Sequence, residues 1–236
     1  MLDKAKNEED KLCEILSLVT HDLKSPLTAV MGSVELLAMD DITKQEKQEC
    51  LKIAKKGTKS VLKLIENILT MAKIEAGKSD VTFESVTKVE KYFQEIYDTF
   101  KFQTKIKNID FKLEIKDDLP IVYWDIDKIH YHVINNIISN SIKFTPNGGK
   151  IYFKVYTQDQ NIIITIKDNG VGIGKKDQKE IFSKYKTHNN QKKYKGKGLG
   201  LFNAHHFVKE HGGDIELIDG LDKKGVGFKI TLPTSM

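Results

Sequence analysis

The feature that most constrains this chain is an apolar repeat of seven residues. Leu51, Ala54, Thr58, Val61, Ile65, Ile68 and Ala72 follow one another at alternating spacings of three and four. Such a seam lies along one side of a helix and calls for a partner helix. Upstream, Leu12, Leu16, Val19, Leu23, Pro26, Val30, Val34 and Leu37 recur at mixed spacings of three and four. Residues 8–77 therefore read as a helical hairpin. Its link, "MDDITKQE", carries acids where the second helix would begin, and "EAGKS" supplies a glycine stop near residue 77. Two narrow-seamed helices bury little by themselves. The expected solution is pairing with a second copy into a four-helix bundle.

From about residue 81 the pattern changes. "VTFESV", "IDFKLEI", "KIYFKVYT" and "NIIITIKD" read as strands, and "GGDIELIDG" and "GVGFKITLP" continue the style. Helical stretches are expected near 88–102, 125–144, 176–182 and 199–211. The overall class is α+β: a helical hairpin (residues 1–78) that forms a dimeric four-helix bundle, followed by an α/β two-layer sandwich (79–236). The hinge is expected at "AGKSD".

Bulk properties narrow the function. No apolar run approaches the roughly 18–20 residues that span a bilayer, and the charged N-terminus lacks a signal peptide's apolar core. Cys13 and Cys50 show no metal spacing, so both are expected reduced, in a cytoplasmic setting. The net charge of +5 comes from lysine alone, because there is no arginine. That composition argues against nucleic acid as the partner. The densest basic run, 184–197, holds six lysines and no acid beside glycines, which suits a phosphate-bearing small molecule.

Three glycine clusters occur in order: "DNGVGIG" (168–174), "GKGLGL" (196–201) and "GVGF" (225–228). Asp168, directly after a strand, can accept a hydrogen bond from an exocyclic amine. The glycines let the backbone approach a flat ring. "GKGLGL" precedes a helix whose free N–H groups suit a polyphosphate. In "HVINNIISNSIKFTPNGG", Asn136 and Asn140 share one helix face, with Lys143 close by. Two amide oxygens and a lysine can address Mg²⁺ and phosphate.

His21, in "LVTHDLKSPLTAV", lies about 180° from Leu12 and about 160° from Val19 and Leu23 around the helix, so it points away from the apolar seam. Asp22 can hold its tautomer and leave the other nitrogen free to attack. Lys24 can offset incoming phosphoryl charge. Pro26 removes the N–H that would bond to the Asp22 carbonyl, so a bend is expected there.

These motifs together resemble the catalytic core of sensor histidine kinases. "THDLKSPLT" is similar to the H box and "NNIISNSIKFTP" to the N box. "DNGVGIG" is similar to the G1 box, "IFSKY" to the F box and "GKGLGLFNAHHFVKEHGG" to the G2 box, with "GVGFKITLP" as the last glycine box. The resemblance covers about residues 8–234. It implies a Bergerat-type ATP-binding fold, shared with DNA gyrase, Hsp90 and MutL. It implies ATP-dependent phosphorylation of His21, then transfer to an aspartate on a response-regulator receiver domain. By position, Asn140 would bind Mg²⁺, with Asn136 supporting metal and phosphates and Lys143 contacting phosphate. Asp168 would hold the adenine amino group, with Gly170, Gly172 and Ile173 shaping its pocket. Residues 183–197 would form a lid. Lys197, Gly198, Leu199, Gly200 and Leu201 would cradle the triphosphate. The partners implied are a second copy through the hairpin and the receiver domain. The chain would be cytoplasmic, alone or as the core of a longer membrane-attached sensor.

One position separates the relatives by chemistry. Gyrase-like ATPases carry a glutamate where this chain has Asn136, and an amide cannot activate water. That disfavours the gyrase- or Hsp90-like ATPase alternative. Departures from the family pattern are the missing arginine after the F box (Thr187 falls near it), Lys197 inside the G2 box and Val226 in the last box. They leave, as the other alternative, a weakly active or inactive signalling scaffold that dimerises and binds a partner. Ser25, four residues after His21, stands where relatives often carry threonine or asparagine linked to dephosphorylation. The remaining histidines read as structural or solvated, and Tyr123 and Trp124 as packed at a strand end.

Overall fold

A computed structural model describes residues 2–116, 118–184 and 199–235, with side chains from Ser17 onward except Leu18. The chain divides into two compact units, Met1–Lys73 and Ile74–Met236.

The first unit is built from α1 (Leu2–Leu37) and α2 (Lys44–Glu75). A reciprocal cap starts α2. The Thr43 amide donates to Glu46 Oε2 at 2.9 Å, and the Glu46 amide donates back to Thr43 Oγ1 at 3.2 Å. The acids of the link thus act through one residue, Glu46, whose carboxyl pKa is lowered first by the Thr43 hydroxyl. Gly77, at φ +63°, ends the helix as the glycine stop anticipates.

The seven-residue repeat is present, but its buried line is displaced by one position. Cys50, Gly57, Leu64 and Met71 are the buried residues of α2. Ala54, Val61 and Ile68 flank them half-buried, while Thr58 and Ala72 are exposed. Leu51 and Ile65 are 58% and 41% exposed, and they join Leu62 (53%) and Leu69 (57%) in an outward stripe. That stripe lies roughly 120° around the helix from the buried line. Helix α2 therefore has two apolar faces, and among the described residues one is buried and the other exposed.

The second unit carries a five-stranded mixed sheet in the order β2-β4-β5-β7-β6. The strands are β2 (Asp110–Ile115), β4 (Lys150–Gln158), β5 (Asn161–Asp168), β6 (Asp214–Asp219) and β7 (Val226–Pro233). β2 pairs in parallel with β4, and the other neighbours are antiparallel. A separate two-stranded ribbon joins β1 (Glu84–Val86) to β3 (Val122–Trp124). Helices α3 (Val89–Ile106), α4 (Asn135–Phe144, continuing a π-helical segment Lys128–Ile134) and α5 (Gly200–Glu210) complete the unit.

Strand periodicity explains the core. In β4, Ile151, Phe153 and Val155 are buried while the residues between them are half-exposed. Register places Phe153 beside Ile166, and Ile166 beside Phe228. The same inward rows take in Ile164, Ile230 and Ile215. The central strand β5 is buried from Ile162 through Ile166 on both faces. The helices contribute Phe93, Ile96, Ile134, Ile137, Ile138 and Phe207 to this core.

Two expectations need correction. Residues 176–182 form linked turns instead of a helix, because Asp177 and Gln178 both donate to Gly174 and the bonding does not propagate. β3 was not anticipated as a strand; only its Tyr123 and Trp124 were expected at a strand end. Trp124 is buried and its indole N–H donates to Pro233 O at 2.7 Å. His211 proves structural: Nε2 accepts from the Asp125 amide at 3.0 Å and Nδ1 lies 2.7 Å from Phe207 O. His188 lies outside the described residues.

Candidate nucleotide and phospho-acceptor sites

Alternation along β5 decides where Asp168 points. Ile162, Ile164 and Ile166 face the helices, so Asp168, two residues on, faces the same way at the strand's end. It is 1% exposed. Its Oδ1 accepts from the Gly170 amide at 2.9 Å and from the Val226 amide at 3.3 Å. Burial raises its pKa. The Gly170 amide, the neighbouring Ser141 hydroxyl and the Val226 amide pull the other way. Asp168 Oδ2 and Ser141 Oγ, both buried, lack a well-formed hydrogen bond among the described residues. A buried acceptor with a spare lone pair is what an exocyclic amine requires.

Glycines bring the surrounding backbone in close. A Cβ on Gly170 would stand 2.7 Å from the Phe144 carbonyl, so only glycine lets this loop touch the end of α4. Gly225, at φ +69°, would place a Cβ 2.2 Å from the Asp168 carbonyl. Gly172, at φ +72°, lies against Gly225. The G1-like and last glycine clusters thus form one wall, 50 residues apart in sequence. Ile173 packs half-buried against the core beside them.

The second focus is the start of α5. Leu199 caps it with no side-chain hydrogen bond and is itself buried. A Cβ on Gly200 would stand 2.2 Å from Asn136 Oδ1, so the Asn136 carboxamide lies directly against the helix N-terminus. Its Nδ2 is buried without a partner among the described residues. Asn140 follows one turn on, half-buried. Lys143 Nζ sits 4.9 Å over the Phe144 ring. Leu201 packs half-buried against the core. Lys197, Gly198 and nearly all of the proposed lid lie outside the described residues.

In the first unit, His21 is 64% exposed at its side chain, with Nδ1 3.2 Å from Asp22 Oδ1. The expected outward orientation therefore holds, with Nδ1 turned to the Asp22 carboxylate. Lys24 and Ser25 are exposed on the next turn, ahead of Pro26 inside the helix. Ser141 and Asn203 carry no signal in the sequence, and Val226 stands out there only as a departure in the last glycine box. Val226 contributes only its amide, which no side-chain signal reveals. Ser141 adjoins Asn140 but faces the sheet.

This combination defines a nucleotide-binding α/β sandwich preceded by a helical hairpin with an exposed, carboxylate-held histidine. Residues 11–77 match the model of the His Kinase A phospho-acceptor domain, and residues 125–236 match that of the histidine kinase-, DNA gyrase B- and HSP90-like ATPase. The chain belongs to the histidine kinases and carries both modules of their catalytic core. It is 30% identical over 93% of its length to the sensor histidine kinase WalK of Bacillus subtilis, covering 36% of that protein. It is 31% identical over 98% of its length to the adaptive-response sensory kinase SasA of Microcystis aeruginosa, covering 63%. The chain thus spans between about a third and just under two thirds of these relatives. In fold it matches histidine kinase ThkA in complex with the response regulator TrrA, at a TM-score of 0.70 and 22% identity over 98% of this chain and 64% of that one.

Proposed function

We propose that the chain phosphorylates His21 from ATP and passes the phosphoryl group to an aspartate of a response-regulator receiver domain. The observation that carries this reading is Asn136: an amide, not a carboxylate, lies against Gly200 at the start of α5. An amide cannot serve as the general base that activates water, so the γ-phosphoryl group is kept for another nucleophile.

Asp168 and its glycine wall fit an adenine amine. The Gly200 end of α5 fits phosphate. Asn140 offers one hard amide oxygen of the kind Mg²⁺ accepts, leaving its other positions to phosphate oxygens and water. Bound magnesium would neutralise phosphate charge. Lys143 would contact phosphate, and Lys24 would offset charge at the acceptor.

Asp22 holds the Nδ1 proton of His21, leaving the Nε2 lone pair to attack the γ-phosphorus in line. The Nε2–P bond forms as the bond to the β,γ-bridging oxygen breaks, and ADP leaves with that electron pair. Asp22 stabilises the positive charge gained by the imidazole.

Dimerisation would use the outward apolar stripe of α2, and the fold shared with a kinase solved with its response regulator supports a receiver domain as partner. Incubation with γ-labelled ATP and Mg²⁺ should place an acid-labile, base-stable label on the chain. Full labelling in His21→Ala would exclude His21 as acceptor. Rapid phosphate release without label would indicate an ATPase.

A further inference from the structure

The buried face of α5 consists of Asn203, Ala204, Phe207 and Val208. Three of these are apolar, as core packing demands. Asn203 is only 1% exposed, yet neither Oδ1 nor Nδ2 has a partner among the described residues. A carboxamide buried in this way costs stability, whereas a leucine of similar size would not. Such an exception needs a reason.

Two contacts fix what Asn203 faces. At its first residue, α5 abuts Asn136 through Gly200. Two turns later, the Phe207 ring packs 4.9 Å from the ring of His132. Helix α5 therefore runs antiparallel along the segment 132–136. Asn203 lies three residues after Gly200 on the same face. It falls opposite the strip between His132 and Asn136, where Asn136 Nδ2 and Asn135 Oδ1 are likewise buried and unpartnered. Two unpartnered carboxamides, Asn203 and Asn136, thus border this layer at the helix end assigned to phosphate.

We propose that Asn203 is a positioning residue for the phosphate end of the nucleotide. Its carboxamide holds that of Asn136 against the N-terminus of α5 when nucleotide is bound. The inference rests on the nucleotide-binding reading above. Asn203 itself stays beneath the site, and its effect passes through Asn136.

The test titrates the full chain calorimetrically with the magnesium complex of the nonhydrolysable analogue AMPPNP and records the melting temperature without nucleotide. Asn203→Leu should weaken binding about fivefold, the size of one net hydrogen bond, while melting at the same or a higher temperature. In an Asn136→Ala background, Asn203→Leu should cost nothing further. Unchanged affinity in Asn203→Leu overturns the proposal. So does a fivefold loss that persists in the Asn136→Ala background, or one that appears only with a lowered melting temperature. Asn203→Val provides a smaller replacement; failure of both variants to fold marks a purely structural role and also overturns it. A wild-type chain that does not bind the complex overturns the parent reading as well, whereas wild-type binding with an unaltered Asn203→Leu overturns this one alone.

Discussion

Gly57 of α2 sits against the backbone of Pro26 in α1. A Cβ built on Gly57 would stand 2.9 Å from the Pro26 carbonyl oxygen and 2.6 Å from Val30 Cγ2. The two helices approach too tightly here for a side chain, where one has a proline and the other a glycine. This level lies just over a turn from His21.

Gly57→Ala must push α2 away from Pro26 or force Val30 from its rotamer. Overpacking of this kind costs about 1–3 kcal/mol. Alanine's better helix propensity returns only about 1 kcal/mol. Chemical denaturation should show the hairpin destabilised. An unchanged midpoint would mean that the helices separate freely at this level.

Asp168→Asn should stabilise the nucleotide-free protein and weaken nucleotide binding. Burial raises the carboxyl pKa, so ionising it in the folded state is unfavourable and stability declines as pH rises through the carboxylate range. An amide removes that cost but supplies a donor beside the purine amine. Affinity should fall about 10- to 100-fold, as expected for losing a charged hydrogen bond. Thermal melts with and without MgADP would read both effects.

The double substitution Leu62→Glu and Leu69→Glu places two charges on the outward stripe of α2. Light scattering should report a monomer, with MgAMPPNP affinity of the second unit unchanged. Retention of the dimer would locate the interface on another face.

His132 supplies a pH dependence. Burial first, and then the Lys128 ammonium, lower its pKa to about 4. Its unfolded value is about 6.5. The unfolded chain therefore takes up a proton first, and stability is lost as pH falls from about 6.5 towards 4. His132→Leu should flatten that part of the profile, measured as melting temperature against pH. An equally steep decline in the variant would assign the acid sensitivity elsewhere.

Much of this was legible in the sequence because it rests on period and local chemistry. The alternation of "KIYFKVYT" and the φ > 0 stop at Gly77 are local facts, and so is the outward direction of His21. The buried line Cys50–Gly57–Leu64–Met71 was misplaced by one residue because α2 carries two apolar stripes, and periodicity cannot say which one faces α1. Glycine looks like a gap in an apolar pattern, yet Gly57 is buried with no room for a Cβ. The 176–182 helix failed because a helical pattern without propagating hydrogen bonds gives turns. Asn203 was invisible because its meaning depends on Gly200 and Asn136 meeting across more than 60 residues of chain.

The central strand β5 has a consequence for synthesis of the protein. Its residues Ile162–Ile166 form a buried, almost wholly aliphatic run without proline. One edge is paired early, by β4, but the other waits for β7, which begins only at Val226. Until then a nascent chain presents an unpaired edge of the kind that templates aggregation. A transcript truncated before residue 226 would therefore yield a sticky product, and a chaperone that shields this strand during translation would raise the yield of the intact chain.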